Sequence, residues 1–123
     1  MKESRIANFK KGINSERYAA LYLKLFAYRI LEQRYKTPVG EIDLIARRGN
    51  VIVFIEVKAR ANFISAKESI TPNQRRRIER AASLYASKFK GMNTKEGPRL
   101  RFDAILVSGW KLKHIVSAWR FGE

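Results

Sequence analysis

The chain has 123 residues, no cysteine, and 26 lysines and arginines against 11 aspartates and glutamates, which gives a formal net charge of +15. This length predicts one domain with a sizeable core, and the absence of cysteine excludes disulfides and thiolate metal sites, as suits a cytoplasmic protein. No stretch approaches the ~20 apolar residues of a membrane-spanning helix. So basic a domain repels itself without an anionic partner. Nucleic acid is the first candidate, an anionic membrane surface the second, and a merely basic protein the alternative.

The first helix is predicted to begin at Asn14 or Ser15, after a loose, polar and basic arm over residues 1–12. Its apolar residues recur at helical spacing: Ala19, Ala20, Leu23, Phe26, Ala27, Ile30 and Leu31. Glu16 lies one turn before this stripe and therefore points toward the core side of the helix. It either favours the positive end of the helix or brings a carboxylate toward a site on that side.

A β-hairpin is predicted from Glu41 to Arg60, after a short strand over Gln33 to Thr37 and a break at Pro38-Val39-Gly40. Gly49-Asn50 signals the hairpin turn, because the favoured two-residue turns need positive φ at positions that Gly and Asn tolerate. The hairpin is the part of the chain in which charged and apolar residues are most regularly arranged.

The turn sets the register of the hairpin, and counting outward from it places Asp43 directly opposite Glu56. Because side chains alternate between the faces of a strand, Asp43, Glu56 and Lys58 share one face. The other face of the second strand is an unbroken apolar row: Val51, Val53, Ile55, Val57 and Ala59. Two carboxylates in such surroundings repel each other and lose hydration, and a divalent cation would relieve both costs.

Metal-assisted hydrolysis of a phosphodiester is the chemistry that these three side chains fit. Mg²⁺ binds one or two protein carboxylates together with water and phosphate oxygens, and Lys58 could hold a phosphate or position the attacking water. The alternative is a cross-strand salt bridge of Asp43 with Lys58 or Arg60 on a solvated face.

A second helix is predicted after a loop over residues 61–70. Thr71 caps it, Pro72 takes its first position, and Gln74 completes a capping box. The buried stripe of this helix is Ile78, Ala81, Ala82, Tyr85 and Phe89. Four arginines lie near the helix start, where the helix dipole disfavours cations: Arg75, Arg76, Arg77 and Arg80. They form either a solvated face or, as we favour, a surface that contacts the DNA backbone.

The rest of the chain is predicted to be a polar loop over Gly91 to Pro98, a strand from Leu100 to Ser108 and a last strand from Trp110 to Trp119. Asp103 shares a strand face with Arg101, which predicts an ion pair between them. His114 lies on an apolar row and is predicted to be a hydrogen-bonded core residue. Neither Asp103 nor His114 is placed in the candidate site.

The hairpin sequence resembles a known family. Its segments Gly40 to Ala46 (GEIDLIA) and Val53 to Arg60 (VFIEVKAR) are similar to the YraN family. The Asp on one strand followed by Glu-x-Lys on the next is similar to the PD-(D/E)xK nucleases. Ile42 stands at the position where the name of that superfamily has Pro. The resemblance extends from about Gly12 to the last strands. It implies an α/β, restriction-endonuclease-like fold related to archaeal Holliday junction resolvases. That core is a mixed sheet flanked by two main helices, in the order α-β-β-β-α-β-β.

The resemblance also implies a Mg²⁺-dependent nuclease, with Mn²⁺ as a substitute ion. Its metal ligands would be Asp43, Glu56 and the carbonyl of Val57, and its catalytic residues Glu16, Asp43, Glu56 and Lys58. Gln74, otherwise only a capping residue, would approach this site. The expected substrate is DNA, and kinship with the resolvases suggests branched or flapped DNA. Because the related resolvases work as dimers, a homodimer is also possible. The alternative is a non-catalytic basic nucleic-acid-binding module on the same fold.

Overall fold

The computed structural model of the protein describes residues 13–88 and 97–123. Its elements in chain order are α1 (Ile13–Leu25), β1 (Arg29–Thr37), β2 (Gly40–Arg48), β3 (Val51–Ala59), α2 (Phe63–Glu68), α3 (Pro72–Ser87), β4 (Arg99–Ser108) and β5 (Lys111–Trp119). The predicted arm over 1–12, Phe89 of the predicted buried stripe and residues 91–96 of the predicted loop lie outside the described residues. No helix within the described ranges is long and apolar enough to span a membrane.

The strands of the described residues form one mixed sheet in the order β1-β2-β3-β4-β5. Strands β3 and β4 are parallel, and the other neighbouring strands are antiparallel. The chain passes from β3 to β4 through α2 and α3, because a parallel pair requires a long crossover connection. The predicted α/β class and the mixed sheet are therefore confirmed.

Each face of the sheet is covered by a different helix. On one face, Ala19 and Leu23 of α1 are buried against the apolar row predicted for β3, which includes Ile55. On the other face, Ile78 of α3 is buried in a cluster that includes Phe54. The acid-bearing face of the hairpin is the face that α3 covers, so α3 and the hairpin together determine the surroundings of the acids.

Helix α1 ends at Leu25, whereas its helical spacing predicts a stripe that continues to Leu31. The helix stops because Ala27 adopts a left-handed conformation with φ +67°, and the N–H of Tyr28 donates to the carbonyl of Leu23 at 2.9 Å. This is the hydrogen bond of a Schellman cap, whose left-handed position usually holds Gly. An alanine there gives no sequence signal for the helix end.

The early end of α1 changes the roles of the residues that follow it. Ile30 and Leu31 belong to β1, which begins at Arg29 rather than at Gln33. Phe26, which the spacing assigns to the buried stripe, is instead 56% exposed.

Residues 61–70 are predicted to be a loop, but they contain the short helix α2. Asn62 caps it, because its Oδ1 atom accepts a hydrogen bond from the N–H of Ser65 at 2.8 Å. The prediction of a loop missed this local signal. The capping box predicted for α3 is confirmed, since the Thr71 hydroxyl accepts from the Gln74 N–H and the Gln74 side chain accepts from the Thr71 N–H.

Asp103 forms the predicted ion pair, with its carboxylate 2.8 Å from the Arg101 guanidinium, and it is fully buried. His114 is hydrogen-bonded as predicted. Its Nε2 atom lies 2.6 Å from the Asp103 carboxylate, and its Nδ1 atom lies 3.0 Å from the Tyr22 hydroxyl. The N–H of Ser117 also donates to Asp103. This network joins β4, β5 and α1.

Candidate active site

The β2–β3 hairpin turns at Gly49-Asn50, with Gly49 at φ +59°. The predicted register is found from Arg48 and Val51 to Leu44 and Ile55, where the regular pairing ends, so the predicted pair of Asp43 and Glu56 lies just beyond it. Beyond the pair of Leu44 and Ile55, a side chain of β2 contacts the backbone of β3: the Oδ2 atom of Asp43 accepts a hydrogen bond from the Val57 N–H at 2.8 Å. The backbone of β3 therefore holds the Asp43 side chain in a defined place.

Asp43, Glu56 and Lys58 line one cavity of about 150 Å³, which we call the acid cavity. The hairpin supplies these three side chains and Glu41. Helix α3 supplies the remaining wall from its first two turns: Gln74, Arg77 and Ile78. The structure therefore brings the acid pair and the lysine together, and it places Gln74 beside them while Gln74 also completes the capping box.

The two acids strongly affect each other. The pKa of Glu56 is raised to about 9, chiefly by burial and further by a hydrogen bond with the Asp43 side chain and the negative charges of Asp43 and Glu41, while Lys58 opposes the shift. At neutral pH the pair therefore retains a proton between its carboxyl groups. A cation bound to both acids would replace that proton, so this donor set fits a hard divalent ion.

Among residues 13–88 and 97–123, no group of three or more acids, histidines or cysteines is arranged to hold a metal ion. Of the three acids that line the acid cavity, Asp43 and Glu56 are the two that interact by a hydrogen bond, so they are the carboxylate pair that a cation could bind together. Mg²⁺ often binds only one or two protein carboxylates and completes its shell with water, a carbonyl such as that of Val57, or phosphate oxygens.

Glu16 lines a neighbouring cavity of about 190 Å³, together with Arg34, Glu41 and Asp43. Its Oε2 atom is paired with the Nε of Arg34 at 2.9 Å. Arg34 has φ +50°, which distorts β1 beside this pair. The helix thus brings Glu16 next to the acid cavity but pairs it with an arginine, and both predicted roles for Glu16 stay open.

Gly40 allows a close contact between β2 and α3. From the sequence this glycine was interpreted only as part of the break before the hairpin and as the first residue of its motif. A Cβ atom at Gly40 would lie 2.1 Å from the carbonyl oxygen of Arg77, so only glycine allows β2 to approach α3 this closely. This contact sets Arg77 beside Glu41 in the wall of the acid cavity. A glycine directly before the acidic motif is the signal that could have indicated it.

The four arginines predicted to contact DNA lie in different surroundings. The Arg75 guanidinium is 5.8 Å from the ring centroid of Trp119. Arg76 donates hydrogen bonds to Glu79 and to the carbonyl of Gly122, so it links α3 to the residues after β5. Arg77 and Arg80 are exposed, the first in the acid cavity and the second in the next cavity along α3.

Fold and site together define a small, basic α/β protein that carries two interacting carboxylates and a lysine on one hairpin. It belongs to the UPF0102 family: the model described as "Uncharacterised protein family UPF0102" matches residues 15–107. The chain is 42% identical over 122 residues to a UPF0102 protein of Bartonella bacilliformis, covering 99% of this chain and 96% of that protein. It is 45% identical over 116 residues to one of Bradyrhizobium diazoefficiens, covering 94% and 85%.

Proposed function

We propose that this protein is a metal-dependent nuclease that hydrolyses phosphodiester bonds in DNA. The observation that carries the proposal is that Asp43, Glu56 and Lys58 line one cavity, in which the acid neighbour helps to raise the pKa of Glu56. Two acids side by side in a half-buried cavity repel each other and lose hydration, which is unfavourable for folding unless something uses them. The net charge of +15 supports an anionic substrate, and the resemblance to the YraN and PD-(D/E)xK proteins supports a restriction-endonuclease-like relationship.

Asp43, Glu56 and the carbonyl of Val57 would hold Mg²⁺ or Mn²⁺. When bound, the ion supplies Lewis-acid polarisation of the phosphodiester. Glu56 would give up its proton on becoming a ligand, which suits a glutamate whose pKa is raised in the metal-free protein. The Lys58 ammonium orients the attacking water or stabilises negative charge that develops on the phosphate. Arg77 binds the phosphate backbone at the cavity wall.

A second candidate function is a basic nucleic-acid-binding module on the same fold with little or no turnover. One observation favours this function. The family resemblance implies that Glu16 is an additional catalytic carboxylate, but in the structure Glu16 forms an ion pair with Arg34. The acid pair argues against it, because a protein that only binds phosphates gains nothing from carboxylates inside a basic groove.

Cleavage assays with purified protein test the proposal. Branched, single-stranded and duplex DNA would be incubated with Mg²⁺, Mn²⁺ or chelator. Asp43→Asn retains an acceptor for the Val57 N–H but removes the charge, and Lys58→Ala removes the ammonium. We expect both to reduce metal-dependent cleavage by at least about 100-fold. Lys113→Ala, at an exposed lysine on β5, is the matched control and should cleave like the wild type.

The outcomes separate the two functions. Cleavage that persists in both Asp43→Asn and Lys58→Ala would come from a contaminating nuclease. Binding by wild type and variants alike, with no cleavage under either metal, would leave the binding module as the function.

A further inference from the structure

A second cavity of about 600 Å³ lies on α3 next to the acid cavity, and we call it the Phe121 cavity. Its apolar walls are Val39, Leu84 and Phe121, each of which is partly exposed. Arg80 lines the same cavity, as do Arg76 and Glu79, which form an ion pair with each other. The acid-pair chemistry does not use this cavity, which combines a half-exposed aromatic ring with an exposed cation.

The Phe121 ring is positioned by its own packing and by hydrogen bonds of the next residue. It packs edge-to-face on Phe102 with ring centroids 4.7 Å apart, yet it remains 50% exposed. The next residue fastens the backbone, because the Gly122 N–H donates to Glu79 at 3.1 Å and its carbonyl accepts from Arg76 at 3.2 Å. Glu79 is a buried acid whose hydrogen-bond partners are Arg76 and the Gly122 N–H. These contacts hold one side of the ring against the fold and leave its other side exposed to solvent.

The two cavities are neighbours across the contact between Gly40 and Arg77. Val39, on one side of Gly40, lines the Phe121 cavity, and Glu41, on the other side, lines the acid cavity. On α3, Arg77 in the acid cavity is followed one turn later by Arg80 in the Phe121 cavity, since residues three apart are neighbours on a helix surface. Two exposed arginines thus mark a path between the cavities.

We infer that the Phe121 cavity receives an unpaired base of the nucleic acid, stacked on the Phe121 ring. The phosphates that join this base to the bond in the acid cavity lie along Arg77 and Arg80. The inference rests on the proposed nuclease function and names its substrate class: nucleic acid with unpaired nucleotides near the cleaved bond. A base inside an intact duplex is stacked on its neighbours and cannot present its face to the ring.

Charge and geometry select this occupant. An apolar peptide would match Val39, Leu84 and Phe121, but it would leave Arg80 without an anion. A nucleotide has both a flat apolar face and a phosphate, and arginine and aromatic side chains together are the usual components of sites for single strands. Stacking of this kind tolerates any base, so no sequence preference is expected.

Binding measured in chelator tests the inference without turnover. The probes are a fluorescein-labelled oligo-dT strand and a labelled duplex of the same length. We expect Phe121→Ala to weaken binding of the single strand roughly 5- to 100-fold and binding of the duplex less than about 2-fold. Phe121→Trp should retain single-strand binding, and its added tryptophan fluorescence should be quenched by oligo-dT relative to wild type. Phe26→Ala removes a similarly exposed ring elsewhere and should change neither affinity.

Several results would overturn the inference. Unchanged single-strand affinity in Phe121→Ala, or an equal loss for duplex and single strand at an unchanged melting temperature, would show that no base stacks there. Absence of cleavage by wild type under any metal, with the selective effect of Phe121→Ala intact, would overturn the nuclease function instead. If Asp43→Asn abolishes cleavage but Phe121→Ala changes the affinities for single-stranded and duplex DNA equally, only the base site would be overturned.

Discussion

The carboxylate of Asp43 is fixed by the backbone of the neighbouring strand, since its Oδ2 atom accepts the Val57 N–H at 2.8 Å. The same side chain hydrogen-bonds with Glu56, whose pKa is raised to about 9 by burial and by this acid neighbour. Asp43 is therefore held as an acceptor by β3, and the raised pKa of the acid pair is carried by Glu56.

We expect Glu56→Gln to stabilise the metal-free protein by about 1–3 kcal/mol at pH 7. The raised pKa means that folded Glu56 holds its proton when unfolded Glu56, with an ordinary pKa near 4.5, has lost it. The folded state therefore binds more protons between about pH 4.5 and 9, and stability falls as pH rises through that window. Glutamine removes this penalty and flattens the slope.

Urea unfolding from pH 5 to 9 with chelator measures the effect of Glu56→Gln. Glu68→Gln, at an exposed acid on α2, is the control and should leave the slope unchanged. A Glu56→Gln variant with the same slope and lower stability than wild type would mean that the two acids do not share a proton.

The sequence was sufficient to predict the centre of the fold. The Gly49-Asn50 turn determines the register, and the register with strand alternation predicts that Asp43, Glu56 and Lys58 lie together. This worked because turn chemistry and side-chain alternation are local rules. The Asp103–Arg101 pair was predictable for the same reason, as both residues lie on one face of one strand.

Other features depend on contacts that no local pattern reveals. The end of α1 rests on Ala27 in a left-handed conformation that alanine rarely adopts. The arginines of α3 look equivalent in the sequence, but Arg75 is near the ring of Trp119 and Arg76 binds Gly122, both far along the chain. Tertiary packing alone decides which of them stay available for phosphate.

The role of Glu16 can be separated from its ion pair by comparing two variants. If Glu16 contributes to the acid site, Glu16→Gln should lower metal-dependent cleavage at least about 10-fold, because a charged neighbour of Asp43 is lost. Arg34→Ala breaks the same 2.9 Å pair but leaves the carboxylate, so it should retain cleavage. Both should change stability by less than about 1 kcal/mol, since the pair is partly exposed.

Single-turnover cleavage rates and urea midpoints of both variants provide the measurement. Equal and small effects of Glu16→Gln and Arg34→Ala on cleavage would assign Glu16 to the ion pair alone.

The arginines of α3 should differ in how they affect binding of DNA. Arg77→Ala and Arg80→Ala should each reduce the slope of log affinity against log salt by about 1, because each exposed guanidinium releases counterions from a phosphate. Arg76→Ala should instead lower the melting temperature, because it leaves the buried Glu79 without its ion pair. Titrations of duplex DNA between about 50 and 200 mM salt in chelator measure the slopes.

Arg29→Ala, at an exposed arginine on the edge strand β1, is the control for these titrations. A uniform decrease of the slope in all four variants would indicate diffuse attraction by the net charge rather than a binding path along α3.

Asp103 should be the acid on which folding depends most. Burial alone would raise the pKa of Asp103, but hydrogen bonds from His114, Arg101 and the Ser117 N–H hold it below its ordinary value. Its contribution to stability is therefore complete above the unfolded pKa of about 3.9 and is lost as pH falls through the lower folded value. We expect Asp103→Asn to destabilise the protein by about 3 kcal/mol at pH 7, because Arg101 is left partly buried without its anion.

Thermal unfolding of Asp103→Asn and wild type from pH 7 down to pH 3 checks this expectation. The difference between them should shrink below about pH 4, because unfolded wild type then binds a proton at Asp103 that the folded state still excludes. Cleavage at a temperature at which both proteins are folded should be equal, because the Asp103 network lies among β4, β5 and α1 and the acid cavity lies between the hairpin and α3. A variant as stable as wild type at pH 7 would show that folding does not depend on this acid. A variant that folds normally but does not cleave would show that the network serves the site.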